Sequence, residues 1–250
     1  MEEIFFSIVV PTLNEAKYLP KLLSDLAKQS YRGFEVIVVD GNSEDKTVEI
    51  AKSYKSRFLS FEIIKSSKRN VSFQRNLGGK KARGKFIIFM DADNRLPVSF
   101  LKGLFLQVYK KEVDCFTTYC LPDSKNSFDE VLVKIINLSL RVGAQVNKPL
   151  ALGAMIGVRR DVFKKYGGFD EKIAFGEDVE YVRRLFKKGT NFCVFKKPKY
   201  IVSFRHYQRD GRVAYLVKVA RLHLKRVIGF EIDQPNEYPM GGYFGDARKK

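Results

Sequence analysis

Two acids with one residue between them, Asp91 and Asp93, follow the apolar run Phe86 to Met90. At the end of an extended strand, residues i and i+2 project to the same side, so both carboxylates face one crevice. Hard oxygen ligands in that arrangement suit Mg²⁺ or Mn²⁺, ions that also hold phosphate oxygens. Such an ion neutralises charge that develops on a departing diphosphate. The plain alternative is a solvated turn with two acids, and the tripeptide alone does not choose between them. A second acidic pair, Glu177-Asp178, opens an amphipathic run. A helix dipole stabilises carboxylates there whether or not they do chemistry. His206 stands among Arg205, Arg209 and Arg212. A neutral imidazole there is a candidate Mn²⁺ ligand, and a surface histidine in a basic loop is the alternative.

The elements that must position these residues alternate. Ile4 to Val10 reads as a strand closed by Pro11, and Leu19, Leu22, Leu23 and Leu26 recur on one helical face. Phe34 to Val39 is a second strand, closed by Asp40-Gly41-Asn42. Ser43 is a candidate N-cap, with Glu44 and Asp45 in the first turn of a helix to about Tyr54. Strands at Phe61 to Ile64 and Phe86 to Met90 flank a helix over about Ser72 to Ala82, and Phe100, Leu101, Leu104, Phe105 and Val108 mark another. This alternation predicts an α/β domain with a mostly parallel sheet and helices on both faces. Ligands bind such sheets at the carboxyl ends of the strands. Thr12, Asn14 and Glu15, then Asp40, then Asp91 and Asp93 all fall at those ends.

The second half is less regular. Ser127 to Glu130 has the form of a capping box before a helix to about Leu140. Ala151 to Val158 reads as a strand, Gly167 to Asp170 as a turn, and Glu177 to Lys188 as a helix with Val179, Val182, Leu185 and Phe186 inward. Strands follow near Asn191 to Phe195 and Tyr200 to Phe204. With no repeat or clear linker, a single domain is the simplest reading.

Composition bounds the partners. The 250 residues are 45% hydrophobic and 30% charged, an ordinary globular balance. Lys and Arg number 46 against 28 Asp and Glu, and the net +18 suggests a nucleotide, nucleic acid or anionic lipid partner. Cys115, Cys120 and Cys193 form no CxxC pair, which argues against structural zinc or a disulfide framework. Met1-Glu2-Glu3 is acidic where a signal peptide is basic, and no stretch nears the roughly 20 apolar residues a bilayer span needs. The expected location is cytoplasmic, with peripheral attachment to the cytoplasmic face of a membrane left open.

Taken in order, several segments carry a family resemblance. Val9 to Glu15, Val36 to Ser43, and Gln74-Arg75-Asn76 ahead of Phe86 to Asp93 resemble the nucleotide-binding half of family 2 glycosyltransferases of the GT-A fold. Gly167 to Glu171 and Gly176 to Glu180 are similar to that family's acceptor-side segment. The resemblance covers about Ile8 to Arg184. It implies a Rossmann-like GT-A domain over residues 1–210, with about 1–95 the nucleotide-binding half and about 96–210 the acceptor-side half. Residues 211–250 would then be a basic amphipathic helix and tail.

The same resemblance implies roles. Asp40 is similar to the acid that binds the base or ribose, where the plain alternative is a turn acid. Pro11, Thr12, Asn14 and Glu15 look like the rest of the nucleoside pocket, although Asn14 also suits a helix cap. Arg75 resembles the arginine near base and diphosphate, against the alternative of a solvated basic face with Lys80, Lys81 and Arg83. Asp91 and Glu177 fall with the nucleotide-sugar contacts; Asp93 and Asp91, with His206 in addition, are the implied metal ligands. Asp178 corresponds to the general base of an inverting transfer with an oxocarbenium-like transition state. The chain has no Trp, hence no Gln-x-x-Arg-Trp signature of processive synthases, so transfer of a single sugar is expected.

The implied partners are a UDP- or GDP-sugar and a sugar or lipid-linked acceptor. Transfer to a polyprenyl phosphate is the rival within the class; an ionised phosphate hardly needs a base, which tilts Glu177-Asp178 towards a hydroxyl. Nucleotidyl transfer would want a Gly-rich loop after the first strand, and Pro11 to Glu15 has no glycine. No RNA-recognition pattern is present, so no nucleic-acid partner is expected. Val213, Leu216, Val217, Ala220, Leu224, Val227 and Ile228 keep helical spacing beside Lys218, Arg221 and Lys225. That helix suits either an anionic membrane surface or packing on the domain.

Overall fold

Strands buried on both faces need continuous apolar runs, and the centre of the sheet is built from such runs. The computed structural model describes residues 4–228. In chain order the elements are β1 (Phe6–Thr12), α1 (Leu19–Ala27), β2 (Phe34–Asp40), α2 (Thr47–Ser53), β3 (Phe61–Lys65), α3 (Val71–Lys81), β4 (Phe86–Met90) and α4 (Phe100–Lys110). There follow β5 (Cys115–Pro122), α5 (Ser127–Gln145), β6 (Met155–Arg159), α6 (Arg160–Tyr166), α7 (Glu177–Lys187), β7 (Phe192–Val202), α8 (Arg205–Asp210) and α9 (Arg212–Ile228). The seven strands form one sheet in the order β3-β2-β1-β4-β6-β5-β7. Only β6 runs antiparallel to its neighbours, so the fold is the α/β, mostly parallel arrangement expected.

Alternation along the strands divides the core between two faces. Ile8, Val10, Val36, Val38 and Ile88 pack with Leu19, Leu22 and Leu26 of α1 and Phe100 and Leu104 of α4. Val9, Ile37, Val39, Ile87 and Phe89 pack on the other side with Phe163, Tyr181, Val182 and Leu185. Gly78 lets α3 lie close on that second face: a Cβ there would stand 2.4 Å from Val9 Cγ1. The close approach carries Arg75, three residues earlier on α3, to the strand ends.

Several expectations change. β1 runs past Val10 through Pro11 to Thr12. Ser43 does not cap α2, which starts at Thr47; its hydroxyl donates to Asp40 Oδ1 at 2.5 Å. The capping box at Ser127 gives way to Asn126, whose Oδ1 accepts from Phe128 N at 2.9 Å, and α5 continues to Gln145. Ala151 to Ala154 is loop, with the strand starting at Met155. The two strands expected after Asn191 are the single β7. The side chains of Val227 and Ile228 and all of residues 229–250, part of the expected basic tail, lie outside the described residues.

Candidate functional site

Loops that leave the carboxyl ends of β1 and β4 meet the first turn of α7 and the chain after β7. They enclose a cavity of about 400 Å³. Pro11, Thr12 and Glu15 line it from β1, Arg75 from α3, and Asp91 and Asp93 from β4. Glu177, Asp178 and His206 line it from the other half of the chain. Asp40 and Asn14 do not. Asp40 is buried at the end of β2 and accepts from Ser43 N at 2.9 Å, from Ser43 Oγ and from Thr12 Oγ1 at 3.3 Å. Asn14 has φ +55° and accepts from Glu44 N at 2.8 Å, so it shapes the β1 loop rather than capping α1.

Arg75 joins the two halves. Its Nη1 donates to Glu177 Oε1 at 2.8 Å, and its Nη2 donates to Asp91 Oδ1 at 3.1 Å and to the Gly153 carbonyl at 3.0 Å. The guanidinium also lies over the Phe169 ring at 5.2 Å. Only 2% of the residue is exposed, so the solvated basic face is excluded. Burial works against its charge, and Asp91 and Glu177 more than offset that, so its pKa moves up.

Gly176, at φ +77° in the left-handed region that glycine enters without strain, turns the chain into α7. That turn presents Glu177 and Asp178 together. Asp178 Oδ2 accepts from Gly153 N and Oδ1 from Val179 N, both at 2.7 Å. Burial, then the neighbouring Glu177 charge, pushes the Asp178 carboxyl up to about 7, against the two backbone N–H groups and Arg75.

A second arginine stands among the acids of the β1 and β4 loops. Arg205, from α8, makes a bidentate pair with Glu15 at 2.6 and 2.7 Å, and its Nε lies 2.9 Å from Asp93 Oδ2. It also covers the Tyr18 ring at 4.5 Å. Burial raises Asp93 to about 7; Arg205 opposes the shift while Asp91 and Glu15 add to it. Glu15 is raised for the same first reason. His206 stacks on Tyr215 with ring centres 5.7 Å apart, and burial, then Arg205 and Arg209, lower it to about 4.

His206, Asp91 and Asp93 therefore share a cavity without being gathered into a ligand set. Among the described residues no three His, Cys, Asp or Glu side chains form a ready metal cluster. The fit to a cation lies in charge and chemistry: hard carboxylates line one wall, burial disfavours the ionisation of Asp93 and Glu15, and a neutral imidazole shares the cavity. Asp91 keeps 38% of its side chain exposed towards the cavity.

Two residues gain a place that motif spacing did not assign. Gln74, buried on α3, donates from Nε2 to the carbonyls of Thr12 and Val39, both at 2.8 Å, tying β1 to β2 at the site. Arg205 stands out in the sequence only as a basic neighbour of His206, and its pairing with Glu15, 190 positions away, has no local signal.

A sequence model described as glycosyl transferase family 2 matches residues 7–167. The chain is 37% identical over 235 residues to the poly(ribitol-phosphate) beta-N-acetylglucosaminyltransferase TarS of Staphylococcus aureus, covering 91% of this chain and 40% of that protein. It is 28% identical over 225 residues to a dolichyl N-acetyl-alpha-D-glucosaminyl phosphate 3-beta-D-2,3-diacetamido-2,3-dideoxy-beta-D-glucuronosyltransferase of Methanococcus voltae, covering 80% and 66%. Among solved structures, the mannosyltransferase PcManGT of Pyrobaculum calidifontis, in complex with GDP-Man and Mn²⁺, matches at TM-score 0.70 and 19% identity over 95% of this chain and 67% of that one. TarS 1–349 with UDP-GlcNAc matches at TM-score 0.67 and 21% identity, covering 93% and 69%. The fold shared with them is the GT-A arrangement. No described helix is long and apolar enough to cross a membrane.

Proposed function

Because the chain belongs to glycosyl transferase family 2, we propose that it moves a single sugar from a nucleotide-diphosphate sugar to an acceptor hydroxyl with inversion. The observation that carries this reading is the Arg75 bridge, which sets the donor-side Asp91 against Glu177-Asp178 across one cavity. UDP- and GDP-sugars are both candidate donors, in keeping with the complexes of the two structural neighbours.

Asp178 takes the proton from the acceptor hydroxyl as its oxygen attacks the anomeric carbon; the bond from that carbon to the diphosphate oxygen breaks on the opposite face. A base pushed towards neutral pH holds that proton better than an ordinary carboxylate. Asp91 and Asp93, with His206 beside them, would hold Mg²⁺ or Mn²⁺, which supplies charge neutralisation for the leaving diphosphate. Residues 1–210 form the catalytic unit in this reading, and residues 211–250 the basic helix and tail. The acceptor is a sugar or lipid-linked sugar, and a protein that works on a lipid-linked acceptor would sit at an anionic membrane surface. Transfer to a polyprenyl phosphate is the second reading, favoured by Lys218 of basic α9 in the cavity wall.

A panel of nucleotide-sugars, with and without Mn²⁺, tests the reading by thermal shift and nucleoside diphosphate release. Stabilisation by one donor and release on adding acceptor are expected. No response to any donor, with or without metal, would end it.

A further inference from the structure

We infer that the outer face of α5 is a docking surface for an anionic lipid bilayer. The inner face of this helix buries Val133, Leu140 and Gly143. A second apolar stripe runs along the outside: Phe128, Val131, Ile135, Leu138, Val142 and Val146 recur every three or four residues and are 39–57% exposed. Isolated exposed apolar side chains are ordinary, but six in line along one helix mark a surface that meets something other than water.

Charge identifies the occupant. Exposed Lys125, Lys134, Arg141 and Lys148 border the stripe, and between residues 125 and 148 the one exposed acid is Glu130. Asp129 is buried and accepts from Nε and Nη2 of Arg212, at 2.8 and 3.0 Å, which fastens the start of α9 to the start of α5. From Arg212 to Lys225, α9 carries Arg212, Lys218, Arg221 and Lys225 and no acid, and it exposes Val213, Val217 and Leu224. Two copies of this chain meeting through α5 would bring like-charged borders together, whereas phospholipid headgroups complement them and lysine stems can extend to headgroup level. The chemistry is that of a helix lying in the interface.

The position also serves the cavity. Ile136 of α5 and Tyr215 and Val219 of α9 line it, so a bilayer against these helices brings a lipid-borne acceptor to its wall. That last step rests on the transferase reading; the surface itself does not.

Co-sedimentation with phosphatidylglycerol-containing vesicles, against pure phosphatidylcholine vesicles, tests the inference. The full chain is expected to bind the anionic vesicles and to release as salt rises. Ile135→Glu with Leu138→Glu should weaken binding about tenfold or more, and Lys134→Glu with Arg141→Glu should do the same, both with unchanged thermal midpoint and nucleotide-sugar thermal shift. Failure of the wild-type chain to bind at low salt overturns the inference, as does binding that neither double variant alters. A dimer in sedimentation velocity without vesicles, split by Leu138→Glu, would show that a second copy covers the face. Vesicle binding without any nucleotide-sugar response would sink the transferase reading and leave this one standing.

Discussion

Replacing Arg75 by Gln should damage stability and shift the pH dependence of catalysis together, because one guanidinium serves both. Removing one partner of a buried pair leaves the other charge stranded, at a cost of about 3–5 kcal/mol. Glu177 carries most of that cost, since its side chain is 11% exposed, whereas Asp91, at 38%, recovers water when its partner leaves. At roughly 2 °C per kcal/mol for a chain of this size, the thermal midpoint should fall by about 6–10 °C. The second effect follows from sign. A general base works when ionised, so activity is lost as pH falls through its folded pKa. Arg75 holds the raised Asp178 carboxyl down, so its removal moves the acidic limb of kcat/KM above about 7. Glu177→Gln in the same chain removes the stranded charge. It should recover about 1–3 kcal/mol beyond the sum of the single changes and return the limb downwards. Differential scanning fluorimetry and a pH–rate series measure both. Additive melting losses with an unmoved limb would refute the bridge.

Asp178→Asn should lower kcat by about 10²–10⁴ while the donor-induced thermal shift stays; unchanged turnover would take Asp178 out of its role. Chelation with EDTA should stop turnover and Mn²⁺ or Mg²⁺ restore it, and full activity in a metal-free, chelated enzyme would contradict the cation's role. Arg205→Gln removes the cation already held by Glu15 and Asp93, so Mn²⁺ should bind at least several-fold tighter by calorimetry; equal affinity would show that the arginine does not compete. Gln74→Leu leaves the carbonyls of Thr12 and Val39 without a donor, so it should cost about 1–3 kcal/mol by denaturant unfolding, and an unchanged midpoint would count against its bracing of the site.

Much of the first hundred residues is readable because β1, β2 and β4 are buried along their length and mostly apolar, and α1 carries one clear apolar face. β5 had no such mark: Thr117 and Thr118 give its run a polar look, yet both are buried, with the Thr117 hydroxyl donating to the Met155 carbonyl at 2.8 Å. β7 looked like two strands because Lys196-Lys197-Pro198 interrupts it. It is an edge strand, where proline is tolerated. The acids at the strand ends were legible from spacing, since a strand places every second residue on one side. Their partners were not. Arg75 to Glu177 spans 102 positions and Arg205 to Glu15 spans 190, and only tertiary packing closes such gaps. Asp40 is the opposite case, a strand-end acid whose oxygens accept from Ser43 of its own turn.

The acids of the cavity divide by the partners that hold them. Glu15 and Asp93 contact Arg205, and Asp91 and Glu177 contact Arg75. A guanidinium occupies the oxygens of the acid it joins, and Arg205 does so although burial raises both Glu15 and Asp93. Asp178 is the fifth, and its oxygens accept from backbone N–H groups instead. Those dipoles orient the carboxylate without supplying a full positive charge, while burial and Glu177 raise its affinity for a proton. The two arginines hold four carboxylates in place, and the acid they leave to the backbone, joined to neither guanidinium, is the proposed general base.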